Sequence, residues 1–381
     1  MTARPLVVAA LVAAATALLP CCTIELHGGD RSFLVGDPKA TRTDESELPL
    51  VRGGRLELSE GDGNVVVHVG SGPARMVARW RGYGKDAAAA EAALAQARVE
   101  SSGDAARVTV HFVRGEHVDG QGVVADVELW LPEVPDLGLT TSSGDITVDG
   151  TIASGTLITS FGDIELRGCA GNLRATTSSG SITLSEVAGD VDAESSFGDV
   201  KLDRCRGPRI VARTSSGTIT CLDGGEATFT LASSFGDVVL RGGTGTLEVD
   251  TRSGRIEVER FSGALAAKNG FGSIVLDGRF TTVDAETSSG DVSLRCSELA
   301  RERGAWRLVS RFGDVELEAP AALAGDLAAS TRFGKVDCLF GVGPESERVR
   351  GERIERKLHG GGAPIELATD SGDVRFRTSA P

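Results

Sequence analysis

Seven aspartates stand at one recurring place in the chain: Asp145, Asp163, Asp199, Asp237, Asp291, Asp314 and Asp373 each follow a glycine. Carboxylates stacked at a regular interval can hold Ca²⁺, a hard cation that gathers several oxygen ligands. Each repeat here carries a single Gly-Asp, however, and Arg255 and Lys335 put positive charge into the same column. The aspartates are read instead as caps that accept hydrogen bonds from nearby backbone at a turn. Nucleophilic catalysis needs a base beside a hydroxyl or thiol. Serines abound, but His27, His68, His111, His117 and His359 all lie outside the regular repeats. A polysaccharide-cleaving β-helix needs acids gathered on one exposed face, and away from the Gly-Asp position the charges follow no register. Cys169, Cys205, Cys221, Cys296 and Cys338 show no Cys-x-x-Cys spacing, which argues against structural zinc. The expectation is no catalytic residue, no cofactor and no metal site.

Two further cysteines have a different context. Met1-Thr2-Ala3-Arg4 is a short basic start, and Pro5 to Pro20 is an apolar run too short to span a bilayer comfortably. Residues 1–22 are expected to be an export signal. Leu18-Leu19-Pro20-Cys21 and Leu19-Pro20-Cys21-Cys22 both resemble a lipobox, whose Cys is acylated after cleavage, although the residue before the Cys departs from the usual Gly, Ala or Ser. A plain secretory signal with two incidental thiols is the alternative; the Cys pair at that boundary favours lipid attachment at Cys21 or Cys22. Residues 23–50 are polar and patternless and are expected to be a flexible tether. No later segment is apolar enough to be a transmembrane helix.

The elements that must position these residues are set out by one glycine. Gly144, Gly162, Gly180, Gly198, Gly217, Gly236, Gly254, Gly272, Gly290, Gly313, Gly334 and Gly372 mark twelve repeats; the first eight intervals are 18 or 19 residues, the last three 23, 21 and 38. Two and four residues after this glycine every repeat is apolar, counting Cys221 and Cys338. Five residues before it stands Leu, Ala or Val; three before it, Ser or Thr in every repeat but that of Asn269. Period-two alternation marks strands, and the parity breaks at the glycine, so a corner lies there, where glycine accepts positive φ. A second corner follows near Gly150, Gly171, Gly189, Gly207, Gly225, Gly245 and Gly263. Repeats of this kind bury a core only when stacked. The fold is therefore expected to be all-β, a parallel β-solenoid of about twelve repeats. An antiparallel meander is the alternative; the Ser/Thr column favours the parallel stack, which turns it into a hydrogen-bonded ladder. The residue before the corner alternates through Ser143, Phe161, Ser179, Phe197, Ser216, Phe235, Ser253, Phe271, Ser289 and Phe312, then runs Phe333, Ser371. One repeat per turn, favoured here, stacks Phe over Ser. Two repeats per turn would stack Phe over Phe and make Cys169 a neighbour of Cys205.

The flanks differ. Residues 51–132 read as a small α+β lead, with strands at Val65–Val69, Arg75–Trp80, Arg107–Val113 and Val123–Leu131, and an Ala-rich helix from Ala87 to about Val99 capped by Asp86. Residues 133–338 are the repeats. Residues 339–381 are a covering hairpin, rich in Glu and Arg from Glu345 to Arg356, and a terminal repeat. A solenoid needs such a cover because its open end exposes strand edges.

The units Thr141-Ser142-Ser143-Gly144-Asp145-Ile146 and Ser195-Ser196-Phe197-Gly198-Asp199-Val200 resemble the bacterial "putative adhesin" β-strand-repeat family. Ala125 to Leu131 with Pro132, the preceding helix, and Gly360-Gly361-Gly362-Ala363-Pro364 leading into Ile365 extend the similarity over roughly residues 53–378. The resemblance implies an exported solenoid of unknown function and supplies no catalytic residues. The net charge of −14 argues against nucleic acid and against unaided binding to anionic lipid. One Tyr and three Trp suit carbohydrate adhesion poorly, since that uses exposed aromatic platforms. The expected function is a noncatalytic cell-envelope scaffold or adhesin-like protein, at the outer membrane or cell surface or in the periplasm, that meets an envelope partner. The alternatives are an envelope sensor or accessory protein binding through 51–132, and a β-helix carbohydrate-active enzyme. Membrane association is expected only through the N-terminal lipid: the mature protein should partition with membranes, and Cys21→Ser with Cys22→Ser should abolish that. Mass spectrometry of the mature N-terminus decides it; an unmodified terminus defeats the assignment.

Overall fold

The structure is a computed structural model that describes residues 37–115, 121–342 and 346–379, together with the backbone of 24–26 and 33–35. The export signal with Cys21 and Cys22, and His117, lie outside the described residues. The chain divides into two compact units, 1–150 with 158–162, and 151–157 with 163–381.

In the second unit the chain winds as parallel coils, one repeat to a turn. Ile164 pairs with Ile182, Ile182 with Val200, and Val200 with Ile219. The second strand of each repeat stacks likewise, carrying Ser179 onto Phe197 and Phe197 onto Ser216. The inward columns, such as Ala193, Val200 and Leu202, are fully buried. A single coil has nothing to cover that apolar face; the next coil does, at about 4.8 Å along the stack. Cys169 stands on Val187, and Val187 accepts a backbone hydrogen bond from Arg206 one coil further on. Cys169 and Cys205 are thus two coils apart, about 9–10 Å, beyond disulfide reach, and both are free thiols.

The corner depends on glycine for two reasons. Gly198 has φ 153°, a region unfavourable to any residue with a Cβ. A Cβ built there would also lie 2.0 Å from the carbonyl oxygen of Gly180 in the preceding coil. Positive φ was legible in the repeat pattern; the close approach was not.

The end of this unit departs from chain order. The strand Trp306–Phe312 pairs not with Gly325–Phe333 but with Pro364–Ser371, and Pro364–Ser371 pairs in turn with Gly325–Phe333. Val374–Ser379 is likewise clamped between Val315–Pro320 and Val336–Phe340. The terminal repeat is therefore inserted between two earlier ones. This explains the irregular intervals, and it restores the alternation: Ser371 sits between Phe312 and Phe333. Glu347–Gly351 and Arg353–Leu358 then pair antiparallel with the outermost coil and occupy its free edge. Arg348 pairs with Asp337 at 2.8 Å, and the Arg356 guanidinium lies 4.2 Å from the Phe340 ring centroid.

The first unit corrects the expectation for its flank. Arg55–Ser59 runs parallel to both Arg107–Val113 and Asp136–Thr140, and Val65–Gly70 runs parallel to both Gly122–Pro132 and Ile146–Ile152. Three of the four strands anticipated in the α+β lead, joined by the unanticipated strand Arg55–Ser59, are thus solenoid coils, with Gly63 as an unrecognised corner, and coiling begins at Arg55 rather than 133. The Arg55–Gly70 coil is itself inserted between two later ones. What remains outside the coils is Arg75–Tyr83, the helix Ala87–Gln96 and Arg98–Gly103. Asp86 caps the helix at Ala89 N–H, 2.8 Å away. The helix stops at Gln96, because Arg98 and Val99 are drawn into pairing with Val113 and Phe112.

The tether assignment is also corrected. Ile24–Leu26 pairs with Phe33–Val35, and Ala40–Glu47 is a strand against Arg75–Tyr83. Arg42 donates to the carbonyls of Leu94 and Ala97 at 2.6 and 2.7 Å, closing the helix C-terminus. Asp44 accepts from the Trp80 indole at 2.9 Å. These partners lie tens of residues away, so the segment looks patternless when read alone.

Substitutions around one corner should separate these effects. Gly198→Ala should lose about 3 kcal/mol, through positive φ and the clash with Gly180, and Asp199→Ala about 1 kcal/mol. Val200→Asp should prevent folding, because it buries an unpaired charge in the stack. Urea melts rank the two corner variants, and circular dichroism without denaturant shows whether Val200→Asp folds; Gly198→Ala melting like wild type would refute the close approach.

Candidate functional site

The corner assembles three columns. Three residues before the glycine, the hydroxyl points inward and donates to the carbonyl of the corner glycine one coil back. Ser195 reaches Gly180 at 2.8 Å, Thr214 reaches Gly198 at 3.0 Å, and Thr331 reaches Gly372 at 2.8 Å. Asn269 does the same with its amide, at 2.7 Å to Gly254. The expected ladder exists, but it runs from side chain to backbone rather than from hydroxyl to hydroxyl. One residue after the glycine, six of the aspartates accept from the backbone N–H of the next coil, among them Asp199 from Thr218 and Asp237 from Arg255 at 2.7 Å, and Asp291 from Asp314 at 2.8 Å. These are the anticipated caps. Asp199, Asp237 and Asp291 are exposed, so each also presents a carboxylate oxygen outward.

The third column is the one whose role the sequence did not reveal. The residue before the corner faces solvent. Phe197 is 63% exposed, Phe235 56%, Phe271 63%, Phe312 63% and Phe333 68%. These five phenylalanines stand on alternate coils of the second unit, separated by Ser216, Ser253, Ser289 and Ser371. Their spacing is twice the strand separation, about 9–10 Å. The exposed aromatics of this column are all Phe, a residue type left out when only Tyr and Trp are counted. Beside this row a trough of about 400 Å³ runs along the coils, lined one residue beyond the corner by Arg255, Ser273 and Asp291 and three residues beyond it by Ser293, Glu316 and Arg375. Arg375 holds Asp314 and Asp373 at 2.8 and 3.1 Å.

A family model matches residues 38–220 and again 186–377, and it describes the Toastrack DUF4097 family. The chain belongs to that family. The two overlapping matches cover both units of this Toastrack chain. Solved structures similar to it include a "putative cell adhesion protein" from Clostridium sporogenes, at 7% identity and TM-score 0.18, covering 89% of this chain and 100% of that one. A "putative adhesin" from Bacteroides fragilis has 9% identity and TM-score 0.24 over 90% and 100%. A "putative lipid binding protein" from Parabacteroides distasonis has 12% identity and TM-score 0.24 over 89% and 96%. No curated protein matches the chain.

Other groups able to do chemistry are tied into the Toastrack structure. Cys205, Cys221 and Cys338 are buried, and burial pushes their thiols up to about 11, 12 and 12, away from the nucleophilic thiolate. His68 lies 3.2 Å from Glu128, which also binds Arg79 at 2.6 Å. Among the described residues, no group of three or more His, Cys, Asp or Glu could hold a metal ion. In the first unit the inward column ends differently. Thr141 donates to Gly63 at 3.3 Å, and at the Gly63 corner the inward Ser/Thr is replaced by Glu60. Glu60 and Asp62 are both buried and share one guanidinium: Arg114 pairs with Glu60, and with Asp62 at 2.8 Å. Two acids with one cation leave an excess negative charge in a dry place. Burial therefore pushes the Glu60 carboxyl up to about 8 despite the Arg114 partner. Glu60 could be recognised from sequence only once Gly63 is identified as a corner.

A raised carboxyl makes the folded state the better proton binder, so stability is highest below the unfolded value of 4.5 and declines as pH rises toward 8. The loss should be on the order of 2–4 kcal/mol. Glu60→Gln should flatten that decline and melt above wild type at alkaline pH. Thermal melts across this range check it; parallel curves for the two proteins would show that Glu60 is ionised throughout.

Proposed function

We propose that this Toastrack protein is a noncatalytic, extracytoplasmic, adhesin-like solenoid whose Phe-Gly-Asp corner is the contact face for an envelope partner. The observation that carries this reading is the row of five phenylalanines, each more than half exposed, on alternate coils. A lone exposed aromatic is ordinary, but a periodic row rimmed by polar residues marks an interaction surface. The basic start and apolar run of residues 1–20 support an extracytoplasmic setting. The noncatalytic reading rests on how the acids are used: Asp314 and Asp373 cap corner N–H groups and bind Arg375, while Glu60 is sealed with Arg114. The accessory reading through 51–132 is weakened because Arg55–Ser59, Val65–Gly70, Arg107–Val113 and Gly122–Pro132 belong to the coils.

The test uses protein carrying Cys21→Ser and Cys22→Ser, so that retention reports the surface and not a lipid. Phe235, Phe271 and Phe312 are changed together to Ser, the residue that neighbouring coils already carry there. The triple variant should melt within a few degrees of its parent and wash off purified envelopes that retain the parent. Equal retention would overturn the contact face.

A further inference from the structure

The corner row has a period as well as a chemistry, and together they specify a ligand class. We propose that the row binds a linear, β-linked hexopyranose chain of neutral or amino sugars, stacking alternate rings on Phe197, Phe235, Phe271, Phe312 and Phe333. This rests on the reading of the corner as the contact face.

Each Phe presents an apolar ring, and the axial C–H face of a pyranose is the apolar surface that such a ring accepts. In an extended β-linked chain successive sugars are turned over, so equivalent faces recur at every second ring. That advance is close to the two-coil rise of about 9–10 Å. The serine between successive phenylalanines is small and offers a hydroxyl that both donates and accepts. It leaves room for the intervening sugar, which is turned the other way.

The flanking columns complete the match. Asp199, Asp237 and Asp291 are exposed acceptors after committing one oxygen each to the next coil. Carboxylates accept only, and sugar hydroxyls supply donors along the whole chain. The trough beyond them adds Ser273 on the Phe271 coil, and Arg255 and Ser293 on the serine-bearing coils either side of it. On the opposite flank Arg311, Arg332 and Asp370 line a second hollow of about 390 Å³. Both sides of the row can therefore hydrogen-bond a polyhydroxylated chain while its faces rest on Phe.

The same features disfavour other occupants. A polyproline II peptide repeats at about 9.3 Å per turn and fits the pitch, but its exposed carbonyls would meet an acceptor column. An anionic membrane or anionic polysaccharide would face those carboxylates and a net charge of −14. A second copy docked antiparallel seats every Phe against a Ser, yet it would oppose Asp199 to Asp373 and Asp237 to Asp291.

The test is calorimetric titration of the protein lacking Cys21 and Cys22 with cellohexaose and chitohexaose, and with their dimers. At least one hexamer should bind tenfold or more tightly than its dimer, because a longer chain reaches more rings. Phe271→Ser should weaken the hexamer three- to tenfold and the triple Phe→Ser variant should abolish binding, with melting unchanged. Asp237→Ala should weaken it by a smaller factor. Hexamer binding that is indifferent to length or to the Phe substitutions would overturn the proposal. So would Phe-dependent binding of a polyproline dodecamer or of phosphatidylglycerol vesicles in place of sugars. If no glycan binds while the triple variant still washes off envelopes, the glycan assignment fails and the contact face stands. If retention is also unchanged, both fail.

Discussion

The close approach of one corner glycine to the carbonyl of the preceding one governs the rest of the molecule. With no Cβ at Gly198, the chain packs against Gly180 at a distance that no other residue permits. That contact fixes the register of both flanking strands. Their apolar columns then coincide and the core becomes continuous. The Gly180 carbonyl receives the Ser195 hydroxyl from inside, so the polar residue at the edge of the core is satisfied rather than stranded. Asp199, just outside, is left in position to cap Thr218 of the following coil.

A stack built this way grows without limit unless its ends are closed, and both units close by the same stratagem. The Arg55–Gly70 coil is inserted between two coils that follow it in sequence, and the Pro364–Ser379 repeat is inserted between two that precede it. In each case the inserted segment gains parallel partners on both sides, which a terminal segment laid on the outside would lack. The antiparallel hairpin 347–358 then covers the outermost strands with charged residues, where an uncovered edge would invite another chain.

The corner also turns one column outward. The parity break that brings Ile and Val back to the core after the glycine leaves the preceding residue at the surface. A large apolar side chain can sit there without disturbing the stack, as the Phe and Ser alternatives at one register position show. Exposure of Phe at that place is therefore not required by folding, and this is the ground on which the contact face is proposed.

Period, corner and inward columns were legible in the sequence, because each coil experiences the same surroundings and repeats the same residues: Ile or Val after the glycine, and Ser or Thr before it; the Phe–Ser alternation was legible as well, but it fits one or two repeats per turn, and only the pairing of Ser179 with Phe197 and of Phe197 with Ser216 decides for one. The helix at Ala87 was legible too, through its Asp86 cap. Tertiary structure alone decided the rest. Gly63 was hidden because its coil carries Glu60 where the others carry Ser, Thr or, once, Asn, and Glu60 is tolerated only because Arg114, fifty-odd residues away, folds back onto it. Ala40–Glu47 became a strand through Arg42 and Asp44, whose partners are the end of a distant helix and Trp80. The order of the last three coils could not be read from intervals of 23, 21 and 38, since intervals record distance along the chain and not which edges are free to pair. The outward turn of Phe at each corner likewise depends on backbone geometry at the glycine, where strand alternation ceases to apply.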